Sequence, residues 1–416
     1  METTPVPQTP PARLMLFLLV VTFLNTIGFT MFLPVLPFIV QTYVRDQNGL
    51  AMTVGWLASV YALCQCLAAP ALGALSDRYG RRPVLLLCLA GSAAGYVVFG
   101  IGGALWLLFA GRIIDGLTGG NFSILSAYIA DITAPEERGK FFGRLGAVAG
   151  AGFIVGPAIG GFAARLDPNA PAFLAAAITA ASLVWGYFFL PESLPPERRA
   201  GQISLGDMNL LGQLRAAFAL PQLRWLLVAT FCFSVPFAMM SSNFGVLVID
   251  TLGWQADTVS FVSLLIGVTD IVMQGLLAER LLPVLGEIRM TVSGLVCEAA
   301  AYLVLGAIVL VPSPLFVVAG VVLFAVGTGL VEPASRGLIS RAAGPSQQGV
   351  VQGGSQSVQS LAMVLGPLLA GALYTQVGPA SPLWWGACGV GLAILATLRA
   401  APVLRARPAT EPALEA

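Results

Sequence analysis

Gly73-Ala74-Leu75-Ser76-Asp77-Arg78-Tyr79-Gly80-Arg81-Arg82-Pro83 lies between two long apolar runs and carries four charges: Asp77, Arg78, Arg81 and Arg82. That is a concentration, because only 10% of the 416 residues are charged and 57% are hydrophobic. The mean hydropathy is +0.86. Soluble globular domains are about 25% charged, so this composition excludes an ordinary soluble fold. The stretch reads as a short polar turn between two membrane spans.

Outward from that turn, apolar runs of roughly 20 residues read as transmembrane helices. Twelve are predicted, at about 14–40, 50–75, 83–103, 105–131, 141–164, 171–190, 225–250, 257–279, 290–311, 315–339, 350–375 and 383–402. An even number places both termini on one side. With the loops after predicted helices 2, 4, 6, 8 and 10 and both tails on that side, 15 of the 21 Lys and Arg residues fall there, and Arg144, Arg336 and Arg399 lie about one turn inside the adjoining span ends. The exceptions are Arg45 and Arg165 in the opposite loops and Arg112 inside helix 4. Basic residues gather on the cytoplasmic face, so the termini are predicted to be cytoplasmic and the membrane a cell inner membrane. Residues 1–13 and 403–416 read as polar cytoplasmic tails, the first with Pro5, Pro7, Pro10 and Pro11 rather than a signal peptide's core. A net charge of +1 gives no hint of nucleic-acid binding. The six cysteines all fall in predicted helices, as small core residues rather than disulfide or metal ligands. No metal or other cofactor is expected.

The chain repeats itself. Gly73, Asp77 and Arg78 recur as Gly275, Glu279 and Arg280; Pro135 and Gly139 recur as Pro345 and Gly349; Gly156-Pro157 recurs as Gly366-Pro367. The sequence therefore predicts two pseudo-symmetric six-helix bundles, 14–190 and 225–402, joined by a polar, proline-bearing cytoplasmic linker at 191–224. A solute site is expected between them near the bilayer midplane.

Several residues sit in these spans at a cost. Arg112 and Asp115 are one turn apart on helix 4 and can pair, which offsets insertion costs of roughly 2.5–3.5 kcal/mol for each charge. Asp270, Glu298 and Glu332 read as buried carboxylates of the second half. Burial disfavours a carboxylate's charged form, so such a group can take up and release a proton as its surroundings alternate. The chain has no histidine, so any proton relay uses carboxylates. Asp115, Asp270, Glu298 and Glu332, with Arg112 beside them, are the proton-coupling candidates. Asn25, Asn121, Asn243 and Gln274 are candidate polar contacts to a solute, since an amide inside a span needs a partner. Phe29 and Phe237 are candidates for an apolar wall. On helix 5, Gly152, Gly156 and Gly160 line one face where a neighbouring helix can approach closely, and Pro157 can kink the helix.

The opening turn resembles the signature loop between helices 2 and 3 of the major facilitator superfamily of transporters, G-x-L-x-D-R-x-G-R-R/K. The resemblance implies a conformational latch of Gly73, Asp77, Arg78, Gly80 and Arg81, with Asp131 joining its ionic cluster. Gly152 to Gly161 resembles the G-x-x-x-G-P-x-x-G-G motif of that superfamily's antiporters. Arg112, in Gly111-Arg112-Ile113-Ile114-Asp115-Gly116, matches the helix-4 arginine of its drug:proton antiporters. Asp77–Leu87, Gly111–Gly119 and Tyr128–Gly161 are similar to the tetracycline-efflux branch. That branch carries acidic residues in helices 1 and 3 and a histidine in helix 8, where this chain has Asn25, Gly95 and Asp270. Its acidic residue in helix 9 is kept as Glu298.

What the resemblance implies is a transporter rather than an enzyme: a monomer in the lipid bilayer that exchanges protons for a small amphipathic drug or antibiotic by alternating access. A metabolite, sugar or lipid carrier of the same superfamily, working by symport or uniport, is the alternative. A transport-inactive receptor is a third reading.

Overall fold

The computed structural model describes residues 12–44, 46–134, 137–199, 210–342 and 348–405. Arg45, Pro135, Pro345, the outer parts of both tails and the middle of the linker lie outside them. The regular structure of the described residues is all helical, without a strand. The first half comprises α1 (Ala12–Thr30), α2 (Phe32–Gln41), α3 (Gln47–Tyr79), α4 (Arg81–Ile101), α5 (Leu105–Leu117), α6 (Asn121–Ile132), α7 (Arg138–Ala164) and α8 (Ala170–Phe189). A short helix, α9 (Leu210–Phe218), precedes the second half. That half comprises α10 (Pro221–Leu252), α11 (Ala256–Val272), α12 (Ala278–Gly306), α13 (Pro314–Arg341), α14 (Gln348–Gln376) and α15 (Ser381–Arg405).

Ten helical stretches among the described residues are long and apolar enough to cross a membrane. The sequence predicts twelve, and two local features account for the difference. Residues 256–309 form one stretch of 54 residues, about 80 Å at 1.5 Å per residue and so far longer than a bilayer core of roughly 30 Å. It folds back at Gly286, whose φ of 72° is open only to a residue without a Cβ. Conversely, α5 and α6 are each too short alone, because Thr118-Gly119-Gly120 interrupts them.

Punctuation sets the other ends. Asp46 caps α3 by accepting the Gly49 N–H at 2.8 Å, satisfying one of the donors that a helix start leaves free. Gly80, at φ 108°, ends α3 and starts α4. The Glu192 carboxylate occupies the space where a Cβ at Gly80 would sit. Glu192 also accepts the N–H groups of Arg81 and Arg82 at 2.9 and 3.3 Å. A carboxylate at a helix N-terminus is favoured by the helix dipole.

The end of the molecule that carries Arg78, Arg81, Arg82, Arg138, Arg224 and Arg341 is the arginine-rich end, and the opposite one is the far end. The apolar core divides accordingly. One large cluster draws on both halves, with Val35, Leu36, Val54, Leu247, Val259 and Tyr374 among its members. The cluster around Leu85, Tyr128 and Leu145 belongs to the first half alone. Those around Leu227 and Leu338, and around Met290 and Leu330, belong to the second.

Helix pairs across the halves follow the same division. Along α3 and α14, a Cβ on Gly371 would lie 3.0 Å from Ala51 O, Gly55 abuts Pro367 O, and Ser59 donates to Val364 O at 2.7 Å. Along α7 and α11, Arg165 meets Asp257 at 2.6 Å, Gly161 abuts Ser260, and a Cβ on Gly267 would lie 2.6 Å from Ile154. Further toward the arginine-rich end, Gly73, Gly143, Gly146, Gly150 and Gly275 have no neighbouring atom within 4 Å of where a Cβ would stand. The halves touch at the far end and part toward the arginine-rich end.

Candidate functional site

Arg112 and Asp115 project from the last turns of α5, and both are buried. The Arg112 guanidinium lies against three aromatic faces, with ring centres of Phe32, Phe99 and Tyr61 at 4.7, 5.1 and 5.5 Å. Its approach to Asp115 is loose, 3.9 Å from Nη1 to Oδ2. Arg112 Nε and Asp115 Oδ2 have no hydrogen-bond partner among the described residues. The cation is therefore held mainly by ring quadrupoles, and the carboxylate keeps one oxygen free. Phe29 stacks on Tyr61 at 5.6 Å, which places it one ring away from Arg112. The Asn25 amide nitrogen on α1 and Asn121 Oδ1 at the start of α6 are likewise buried without partners.

Two side chains that the sequence does not single out complete this arrangement. Tyr61 joins Arg112 to Phe29. Gln65, one turn on, donates from Nε2 to Tyr61 Oη and to Gly119 O, both at 3.1 Å. It thus ties α3 to the α5–α6 interruption. A tyrosine and a glutamine one turn apart in an otherwise apolar span were the available signal.

Gly95 has a structural reason. A Cβ there would stand 2.9 Å from Asp115 N and Gly111 O and 3.0 Å from Asp115 Cβ. The room that an acidic side chain would need at 95 is taken by the backbone and side chain of Asp115.

In the second half Glu298 on α12 is 0% exposed, and neither carboxylate oxygen has a partner. Gly327 on α13 makes its space, since a Cβ there would come within 2.6 Å of Glu298 Cγ. Tyr302, one turn further, also has an unpartnered hydroxyl. Its ring meets Phe324 edge-on at 6.0 Å, and Phe324 stacks on Phe237 at 5.8 Å. Phe237 is therefore part of an aromatic row that leads to Tyr302, which the sequence reading missed.

Asp270, Gln274 and Glu332 come together between α11 and α13. Gln274 donates to Asp270 at 2.8 Å and to Glu332 at 3.3 Å, and Thr328 donates to Asp270 at 3.3 Å. A π-turn at Met273–Leu277 falls there. Such turns widen the helix by one residue and recur at functional sites. Glu332 corrects the expectation of a buried carboxylate: its side chain is 44% exposed and it accepts from Arg336, one turn on, at 2.6 Å. Asp270 is half-buried. Asn243 stands apart from both groups. Both of its amide atoms are unpartnered, and it lines a far-end cavity with Met239, Met240, Phe244 and Tyr374 that has room for about one water.

The signature loop is knitted within the first half. Arg81, buried, donates to Asp131 at 3.0 Å and to Ser76 at 2.6 Å, and lies 2.5 Å from Asp77. Ser193 also donates to Asp131, and Arg82 donates to Tyr187 O. Asp77 is half-exposed, Arg78 lies over the Tyr79 ring at 5.4 Å, and Gly73 is uncovered. In its repeat, Glu279 and Arg280 are exposed, and Arg341 bonds Glu287 instead at 3.1 Å. On α7, Gly152, Gly156 and Gly160 abut Thr26, Thr30 and Met31 of the first half, past Pro157. That glycine face packs within one half, while the next glycine, Gly161, meets the other.

Two helical halves in contact at one end, with isolated buried carboxylates in each, have counterparts among known proteins. The Major Facilitator Superfamily family model matches residues 18–351 and 259–416. The chain belongs to the Major Facilitator Superfamily. It is 33% identical to the class D tetracycline resistance protein of Salmonella ordonez, over 94% of this chain and 96% of that one. To the class B tetracycline resistance protein of Escherichia coli it is 31% identical, over 88% and 89%. Among solved structures it is similar to the human organic anion transporter MFSD10 (TETRAN), with a TM-score of 0.72 and 27% identity, over 94% of this chain and 100% of that one. As a Major Facilitator protein the chain is a multi-pass membrane transporter and not an enzyme.

Proposed function

We propose that this transporter exports a small amphipathic compound, a drug or antibiotic, in exchange for protons. The similarity to tetracycline resistance proteins over nearly the whole chain supports the direction and the substrate class. The observation that carries proton coupling is Glu298, fully enclosed with both oxygens unpartnered. An ionised carboxylate in that position lacks any compensation. Glu298 therefore holds a proton while enclosed and gives it up when the surrounding helices open it to water. Asp115 plays the same part in the first half, buried beside Arg112.

In this reading the arginine-rich end faces the cytoplasm, the membrane is the cell inner membrane, and the structure is open inward. The Asn25, Phe29 and Arg112 group and the Asp270, Gln274 and Phe237 group are the two walls offered to a solute. Inward movement of one proton supplies roughly 2.3 kcal/mol per 100 mV, with the pH difference in addition.

Purified full-length protein in proteoliposomes, given an imposed pH gradient and a panel of dyes and antibiotics that includes tetracycline, tests this. Uptake against a solute gradient that collapses with the pH gradient is expected. Flux that ignores the pH gradient would overturn the antiport reading in favour of a uniporter.

A further inference from the structure

Along α15, Trp385, Cys388, Leu392 and Leu395 are all exposed and stand three or four residues apart. Residues at that spacing share a helix face, so they form one apolar stripe. On a helix that crosses a membrane, an exposed apolar face meets lipid chains. The next position of the stripe, four residues on and at the arginine-rich end, is Arg399, which is also exposed. Its guanidinium lies over the Trp225 ring of α10, 5.1 Å from the ring centre. Trp225 is itself 38% exposed. The two side chains mark where the groove between α10 and α15 meets the headgroup layer. Tryptophan collects at that depth, and a long basic side chain there reaches out of the hydrocarbon.

We propose that this groove binds the headgroup phosphate of an anionic phospholipid, with Arg399 and Arg224 as donors and Trp225 as the platform between them. Stacking on the indole uses the face of the Arg399 guanidinium and leaves the N–H donors at its edge free. Arg399 has no ion pair or hydrogen bond to any of the described residues. Arg224, exposed and next to Trp225 in the chain, bonds through Nε to Phe218 O at 2.8 Å. That bond leaves both of its terminal nitrogens to the surroundings. No acid answers these charges: α9, α14 and α15 contain none, and on α10 the first is Asp250, at the far end. Guanidinium forks of this kind match the oxygens of a phosphate. Leu392 and Leu395, further along the stripe, offer the acyl chains an apolar bed.

The corresponding place in the first half shows that packing needs no cation there. The first and last spans of that half, α1 and α8, meet through Phe17 and Trp185, edge-on with ring centres 4.7 Å apart. Two rings fill that contact. The second half instead sets a charge over its tryptophan, and an anion in the adjoining headgroup layer completes it. Other exposed arginines of the same end are already engaged: Arg138 with Ala130 O, Arg336 with Glu332 and Arg341 with Glu287.

Native mass spectrometry of the full-length protein, released from nanodiscs of equal phosphatidylglycerol and phosphatidylcholine, tests the site. A retained phosphatidylglycerol adduct is expected. Arg399→Gln and Arg224→Gln should each lower its occupancy about fivefold, the scale of one basic residue at an anionic surface. Arg138→Gln removes a charge from the same end without touching the groove and should leave the adduct unchanged. Arg399→Lys keeps the charge but loses the plane that stacks, so its occupancy should fall between those of the parent and Arg399→Gln. All three positions are exposed, so thermal midpoints in detergent should stay near the parent's, which separates lost binding from lost folding.

Equal retention of the two lipids, or an equal loss in Arg138→Gln, would mean diffuse attraction and overturn the site. A lysine at 399 as good as the arginine would remove Trp225 from it. Displacement of the adduct by excess inorganic phosphate would overturn the lipid as occupant in favour of a free anion. Adduct formation needs no flux, so absence of proton-driven uptake would overturn the efflux reading and leave this one standing.

Discussion

At the scale of single residues, burial divides carboxylates that look alike in sequence. Asp270, Glu298 and Glu332 all stand in apolar spans, yet only Glu298 is sealed off without a partner. Arg336, four residues after Glu332, was the visible hint that Glu332 is neutralised along its own helix. Glu298→Gln keeps the shape and removes the titration. We expect its thermal midpoint to stay near the parent's while proton-driven uptake falls at least about tenfold, equivalent to about 1.4 kcal/mol. Retention of solute exchange without a pH gradient separates lost coupling from lost folding. Unchanged gradient-driven uptake would remove Glu298 from coupling.

Arg112 makes a second prediction at this scale. Three rings cover the faces of its guanidinium, and a lysine ammonium offers no such plane. Arg112→Lys should destabilise the detergent-solubilised protein by about 1–2 kcal/mol, read as a lowered midpoint. Arg112→Ala also leaves Asp115 without a counter-charge, so it should cost about 3–5 kcal/mol. Equal midpoints for the two variants would show that the rings contribute little beyond charge.

Among the elements, the α4–α5 pair shows why one residue type stands at 95. Its contact is so close that a Cβ at 95 would strike the Asp115 and Gly111 backbones. Gly95→Asp should therefore cost about 1–3 kcal/mol through overpacking. A variant that adds Gly95→Asp to Asp115→Gly keeps the backbone clash with Gly111 and should recover only part of the loss. Full recovery of stability and uptake would mean that the backbone yields and that only side-chain volume matters. The composition and the repeat made the helical architecture readable, because apolar length and recurring glycine, proline and charge positions are local properties of the chain. The α5–α6 interruption and the π-turn at Met273 were not readable. Both depend on partners across the fold, Gln65 in the first case and the Asp270–Gln274–Glu332 contacts in the second. Tyr61, Gln65 and Tyr302 were missed for the same reason: an isolated polar aromatic or amide has no meaning until a neighbour is placed beside it.

For the whole molecule, the signature loop separates what holds a half together from what changes between conformations. Arg81 is buried and binds Asp131, Ser76 and Asp77, all in the first half. Asp77 is half-exposed and has no ion pair or hydrogen bond to the second half among the described residues, while Gly73 nearby has no neighbouring atom within 4 Å of a Cβ position. The two acids should therefore fail differently. Asp131→Asn removes one charged hydrogen-bond partner of a buried guanidinium that keeps Asp77 and Ser76, so it should lower stability by about 1–3 kcal/mol. Asp77→Asn removes one exposed partner and should cost less than about 1 kcal/mol. If Asp77 acts as a latch across the halves in the opposite conformation, its loss nonetheless reduces turnover several-fold, because the closed arginine-rich end loses a contact that the open one never made. A ligand stabilises only the state it binds preferentially. Asp77→Asn should thus raise the accessibility of a cysteine placed at Gly146 while leaving the thermal midpoint almost unmoved. Loss of stability without a change in accessibility would make Asp77 a structural partner of Arg81 and nothing more.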